Sequence, residues 1–136
     1  RWPRNLRRIS QGSGDLGQRM HRAMRGADPG PVVLVGTDVP DIAPRHIADA
    51  FRALGRHDAV FGPAADGGYW LIGLRRPAST EIFTDIRWST AHTLADSLER
   101  LGRRHRHHLL ETLSDIDDAE SLRRWRETQK SRGLRA

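Results

Sequence analysis

Apolar residues follow two alternating patterns along the chain. Leu16, Met20, Ala23 and Met24 recur at helical spacing behind Asp15, a side chain that can accept from the free amides of a helix start, and the pattern stops by Gly26. Pro31–Gly36 (PVVLVG) is instead a short continuous apolar run rich in valine, the pattern of a strand buried on both faces of a parallel sheet. Pro44 suits a first helical position; Ile47, Ala50, Phe51 and Leu54 then mark one helical face, and Gly55 is a stop. Asp58–Gly62 and Tyr69–Leu74 read as two more strands, the second opened by a Gly-Gly pair. Leu94, Leu98 and Leu101 predict a helix capped by Ser89 or Thr90 and closed by Gly102. Arg106–Leu110 reads as an edge strand. Ala119, Leu122 and Trp125 predict a last helix capped by Asp117 or Asp118, with a polar, fraying end beyond Arg126.

Strands alternating with helices give an α/β layered domain. At 136 residues, with no repeat or low-complexity linker, one domain is expected: residues 1–126, followed by a polar tail at 127–136. A complete α/β domain normally opens with a strand, and none clearly precedes the first helix.

Composition narrows the classes. Hydrophobic residues at 37% and charged residues at 29% fit a folded protein, and no apolar run reaches the length of a membrane span. The absence of cysteine excludes disulfides and thiolate metal sites. With no targeting pattern at the start, the cytoplasm is the expected compartment. The net charge is +6, and Lys130 is the sole lysine among 23 basic residues. A basic surface suits anionic partners, but a compositional bias toward arginine is the better explanation, and no aromatic-interleaved patch favours nucleic acid. The spacing of His105, His107 and His108 does not select zinc; a solvated basic strand accounts for it.

Five segments can carry chemistry. Val35-Gly36-Thr37-Asp38-Val39-Pro40 puts a carboxylate just past the carboxyl end of a strand, the edge where open α/β sheets bind ligands. Asp38 there can ligate Mg2+ or Mn2+, or it can bond backbone amides in its turn. Gly62 to Trp70 contains Asp66-Gly67-Gly68, either a backbone that presses against a ligand, with Tyr69 or Trp70 stacking on it, or a hairpin turn. Gln11 to Arg19 runs from a glycine-rich loop with Gly12 and Gly14, through Asp15, into a helix start. That is an anion site with Arg19 one turn in, or an ordinary cap. Asp115-Ile116-Asp117-Asp118 crowds three carboxylates, and capping explains one of them; a shared cation would explain another. In Arg87-Trp88-Ser89-Thr90 the hydroxyls read as caps, and Trp88 as a core anchor or a substrate platform.

Taken in order, QGSGDLGQRM, VVLVGTDVPDI, DAVFGPAADGGYWLIGL, RWST and LSDIDDAESL resemble a bacterial glycosyltransferase-A-like family. Its members are described as small nucleotide-diphospho-sugar transferases, some of them associated with radical-SAM selenodomain genes, and it is more distantly similar to guanylyltransferases. The resemblance runs from about Trp2 to about Leu122. It implies a Rossmann-like three-layer sandwich that binds a nucleotide or nucleotide sugar with Mg2+ or Mn2+. Asp38 would match the metal-binding aspartate and Asp117 a second ligand, in a DIDD where the family's pattern has threonine in place of Asp118. Asp66, Gly67, Gly68 and Tyr69 would line the sugar or acceptor side, and Val39 stands where the family has cysteine.

The family opens with a strand and a loop of the type Ala-Lys-x-Pro-x-x-Gly-x-x-Lys-Thr-Arg, to which nothing here corresponds. On that reading the chain is a domain truncated at its amino terminus, or a remnant without catalysis. An open sheet edge would then favour a homodimer.

The expectation is therefore metal-assisted transfer from a nucleotide-activated donor to a small-molecule acceptor, of a glycosyl or a nucleotidyl group. Asp38 and Asp117 would hold the metal, and Asp66 would orient or deprotonate the acceptor hydroxyl. Gly12, Gly14, Asp15, Arg19, Gly36, Thr37, Gly67, Gly68, Tyr69, Trp88 and Ser89 would bind the nucleotide or the substrate.

Overall fold

The computed structural model describes residues 5–114 and 119–133. Helix α1 spans Leu16–Arg25, α2 Pro44–Ala53, α3 Thr93–Leu101 and α4 Ala119–Gly133, and a 3-10 turn covers Pro77–Ser79. Strands β1 (Val32–Val35), β2 (Ala59–Pro63), β3 (Tyr69–Leu74) and β4 (His107–Leu109) form one sheet in the order β1-β3-β2-β4.

The sheet is mixed, where the valine-rich run predicts a parallel one. β3 lies between β1 and β2 and runs antiparallel to both, while β4 is parallel to β2. β1 is therefore an edge strand among the described residues. Its burial is partial, and Val35 is 40% exposed rather than covered on both faces. Continuous apolarity cannot tell a central parallel strand from an edge strand that packs helices on both faces. β4 is the edge strand expected, and its side chains are exposed.

Alternation along the strands sorts side chains into two cores. Ala59, Phe61, Ile72 and Leu74 face Met20 and Met24 of α1 and Leu94, Leu98 and Leu101 of α3. Val60 and Leu71, with Trp70 added by a register shift opposite Gly62 and Pro63, face Ile47 and Ala50 of α2 and Leu54 just past its end. Helices thus cover both faces, which is the three-layer sandwich that the resemblance implies. Trp70 is 2% exposed, and its indole N–H donates to the Glu111 carbonyl at 3.2 Å, so this ring is core rather than a stacking platform. Gly62 exists to admit it: a Cβ there would lie 2.4 Å from the Trp70 ring.

The helix ends follow from local chemistry. Asp15 accepts from Gln18 N–H at 2.8 Å while the Gln18 side chain accepts from Asp15 N–H at 2.9 Å, a reciprocal capping box. α2 opens on Pro44, and its cap is a side chain inside the helix: His46 Nδ1 accepts from Ala43 N–H at 2.8 Å. α3 starts later than expected. Thr90 caps the preceding turn by accepting from His92 N–H at 3.1 Å, and Ser89 sits in a left-handed conformation at φ 59°. α4 continues past Arg126 to Gly133, because Trp125 and Gln129 both reach Asp41. The expected caps Asp117 and Asp118 lie outside the described residues.

Candidate active site

A groove of about 710 Å3 opens between the β1 edge, α1 and the loop that leads into α3. That volume is within the ~300–1,000 Å3 of small-molecule sites. Its floor is apolar, from Met20, Ala23, Leu34 and Ile72, and its rim is polar, from Arg19, Thr37, Asp66, Ser89, Thr90 and Thr93.

Each wall has a local cause. β1 ends where Gly36 N–H donates to the Trp70 carbonyl at 3.0 Å, and this places Gly36 and Thr37 at the mouth. The second wall is the tip of the β2–β3 hairpin. Ala64 N–H donates to the Gly68 carbonyl at 2.9 Å, and Asp66 Oδ1 accepts from Gly68 N–H at 2.9 Å. The Asp-Gly-Gly segment is thus a hairpin turn and a groove wall at once. Gly67 adopts φ +93°, and a Cβ on it would lie 2.2 Å from the Ala91 carbonyl oxygen. Its own carbonyl accepts from Leu94 N–H at 3.0 Å, joining the hairpin tip to the start of α3.

The third wall is the Arg87–Thr93 loop. Arg87 makes a two-pronged ion pair with Asp96 on α3, at 2.9 and 2.8 Å. The Arg87 guanidinium and backbone N–H hold the Asp96 carboxyl down at about 2. Thr90 and Thr93 hydroxyls both donate to the Arg87 carbonyl, at 2.7 and 2.8 Å. This network presents Trp88 and Ser89 to the groove. Trp88 also packs on the first core and fills the space over Gly17, where a Cβ would lie 2.6 Å from its ring. Trp88 is therefore a core anchor that also lines the groove.

Tyr69 is half-buried, its ring edge-to-face with Phe61 at 5.3 Å between centroids. Burial pushes its hydroxyl up to about 12, against a smaller opposing effect of Ser97, so it stays protonated at neutral pH.

The residues singled out from sequence are brought together unevenly. Arg19, Gly36, Thr37, Asp66, Gly68, Tyr69, Trp88 and Ser89 line the groove, and Gly67 supports its wall. Asp38 is exposed one residue beyond Thr37, and no protein group among the described residues hydrogen-bonds its side chain. Gly12, Gly14 and Asp15 do not line the groove. Their loop folds around Arg22, whose guanidinium donates to the Gln11 and Ser13 carbonyls at 2.6 and 3.0 Å, and Gly12 N–H is taken by Ser10 Oγ. The Asp15 end is the ordinary cap. Asp117 lies outside the described residues. Pattern reading missed Arg87 and Asp96 as a pair, Thr93, and the seat Gly17 makes for Trp88. A glycine in the first turn of a helix was the one signal available.

Divalent-cation chemistry can be tested on this geometry. Among the described residues no three His, Asp or Glu side chains converge as a metal cage. A single open carboxylate such as Asp38 fits Mg2+ or Mn2+ only as one ligand of an ion completed by water and phosphate oxygens.

Helices on both faces of a mixed sheet, with a groove at the strand ends, define an α/β domain of the nucleotide-diphospho-sugar transferase (GT-A-like) fold class. Residues 1–90 match the family described as "Uncharacterized protein conserved in bacteria (DUF2064)", and the chain belongs to that family. A solved structure from Desulfovibrio desulfuricans G20, named "putative nucleotide-diphospho-sugar transferase", is similar with 37% identity and a TM-score of 0.69. The match covers 79% of this chain and 48% of that one, so the chain spans about half the length of this solved relative. No curated protein matches. Among the described residues no helix is long and apolar enough to cross a membrane.

Proposed function

We propose that the chain carries the donor side of a metal-assisted transferase that moves a glycosyl group from a nucleotide sugar to a small hydroxyl acceptor. The observation that carries this reading is the convergence of Gly36, Thr37, Asp66, Gly68, Tyr69, Trp88 and Ser89 on one groove, with Asp38 open beside it. The similarity to a structure named for nucleotide-diphospho-sugar transfer supports it.

Trp88 offers the flat apolar surface for a base or sugar. Arg19, at the rim, supplies a cation for a phosphate. Asp38, with Asp117 as a second ligand, would hold Mg2+ or Mn2+, and the bound ion would neutralise charge on the leaving diphosphate. Tyr69 can donate a hydrogen bond but cannot serve as a base, since its hydroxyl is held up at about 12. Asp66 is the remaining carboxylate in the groove. Its Oδ1 is engaged by Gly68, which leaves the other oxygen to orient or deprotonate an acceptor hydroxyl. The same donor groups would serve nucleotidyl transfer, with the acceptor attacking phosphorus instead of the sugar carbon. The cytoplasm, where nucleotide donors are held, is the compartment this chemistry implies.

A panel of nucleoside diphosphates, triphosphates and nucleotide sugars, scored by thermal shift with and without Mn2+, tests the proposal. Ligand at a hundred times its dissociation constant should add about 2.7 kcal/mol. The shift should depend on Mn2+ and be lost in Asp38→Ala. A cooperatively melting protein that responds to no nucleotide would overturn the reading.

A further inference from the structure

The loop from Gly36 to Ala43 is fixed at three places by the body of the domain. Gly36 N–H is on the Trp70 carbonyl, Val39 is 6% exposed in the second core, and Ala43 N–H is on His46 Nδ1. Asp38 stands exposed between the first two of these points. A fourth attachment comes from a distant element. Asp41 Oδ1 accepts from the Trp125 indole N–H at 3.0 Å and from the Gln129 amide at 3.1 Å, with the Arg132 guanidinium 4.0 Å away.

Trp125, Gln129 and Arg132 fall on one stripe of α4, four and three residues apart, so a single carboxylate meets the whole stripe. The rest of that helix is strongly polar, and Arg123, Arg124, Arg126, Glu127 and Lys130 are exposed. Leu122, Trp125 and Gln129 are half-buried, and among the described residues the Asp41 carboxylate is where two of this stripe's side chains are hydrogen-bonded. A turn closed by Ile42 N–H on the Val39 carbonyl, at 3.4 Å, links Asp41 back toward Asp38. Only Val39 and Pro40 separate Asp41 from Asp38.

We propose that Asp41 is a positioning residue: by clamping α4 to the β1–α2 loop, it holds the Asp38 carboxylate in place for the metal–nucleotide complex. The inference rests on the donor-site reading above and deepens it. Asp41 itself touches neither metal nor nucleotide and acts through the loop.

The test compares Asp41→Ala, Asp41→Asn, Trp125→Phe and Asp38→Ala with the wild type. UDP and GDP binding is measured by calorimetry with and without Mn2+, alongside the rate of tryptic cleavage within α4. Asp41→Asn keeps an acceptor oxygen, and Trp125→Phe keeps the ring while removing its N–H. Asp41→Ala and Trp125→Phe should expose α4 to trypsin and weaken Mn2+-dependent binding by about tenfold, as loss of a ligand-orienting partner does, and Asp41→Asn should restore both. Asp38→Ala should lose the Mn2+-dependent binding while α4 stays protected. Release of α4 in Asp41→Ala or Trp125→Phe with wild-type Mn2+-dependent affinity would overturn the positioning role and leave the donor site standing. Absence of UDP and GDP binding in the wild type, together with no thermal shift from any other nucleotide of the panel, would overturn the donor-site reading, and the positioning role with it. If Asp41→Ala fails to fold, Trp125→Phe against the wild type decides.

Discussion

Asp96 shows how one side chain can set a wall of the site. Its carboxylate is matched to Arg87 by geometry, two guanidinium N–H groups against two oxygens, and it accepts the Arg87 backbone N–H as well. The folded protein holds this carboxyl at about 2, below its usual 3.8. The sign follows: the folded state prefers the ionised form, so the contribution is complete above pH ~4 and is lost as pH falls through about 2. Denaturant titrations of wild type and Asp96→Asn should therefore differ at neutral pH and converge between pH 4 and pH 2. A difference independent of pH over that window would show that the pair does not stabilise the fold through its charge. None of this was legible in the sequence, because Arg87 and Asp96 are joined across a loop whose path no periodicity encodes.

At the scale of elements, α1 and α3 illustrate the two ways in which a helix start is fixed. α1 is capped by its own neighbours: its sequence announces Asp15, and the structure adds the reciprocal Gln18. Asp15→Ala should lower stability by about 1 kcal/mol in urea unfolding, the usual cost of an N-cap. A wild-type midpoint in that variant would mean the helix is held by packing of Met20 and Met24 alone. The start of α3 depends instead on distant groups: Gly67 on the hairpin tip accepts from Leu94, and the Arg87 carbonyl accepts from Thr93. Local hydroxyls suggested a start near Ser89 or Thr90. The tertiary bonds leave Ser89 in a left-handed turn facing the groove and delay the helix to Thr93.

At the scale of the molecule, the segment after β4 is sewn onto the opposite end of the β1–α2 connection. His46 is buried, accepts from Ala43 N–H with Nδ1, and therefore carries its proton on Nε2, where it meets Glu111 Oε1; Arg45 joins the same carboxylate at 3.1 Å. The His46 bond, with help from the Arg45 charge, keeps the Glu111 carboxyl below the usual range. Glu111→Ala would leave a buried imidazole N–H without its partner and should lower the urea midpoint. Glu111→Gln, which keeps an acceptor oxygen, should recover most of the loss. Equal stability of Glu111→Ala and wild type would show that solvent replaces the carboxylate at His46. Together with the bonds from Trp125 and Gln129 to Asp41, this contact ties the stretch from Asp41 to His46, on the carboxyl side of Asp38, to the last third of the chain.

The sequence by itself determined the four helices and four strands, the apolar face of each helix, and the two loops at the strand ends that border the groove. These features depend on spacing within one element and on the backbone freedom of single residues, and both are short-range. The tertiary structure decided the strand order β1-β3-β2-β4 and the reversed direction of β3, which turned a strand read as central and parallel into an edge. It also decided that Trp70 is core while Trp88 reaches the groove, and it joined Asp41 to Trp125 and His46 to Glu111. Those outcomes are choices among partners far apart in the chain. A periodic pattern says that a face must be buried or a polar group satisfied, and only the folded chain brings up the group that does it.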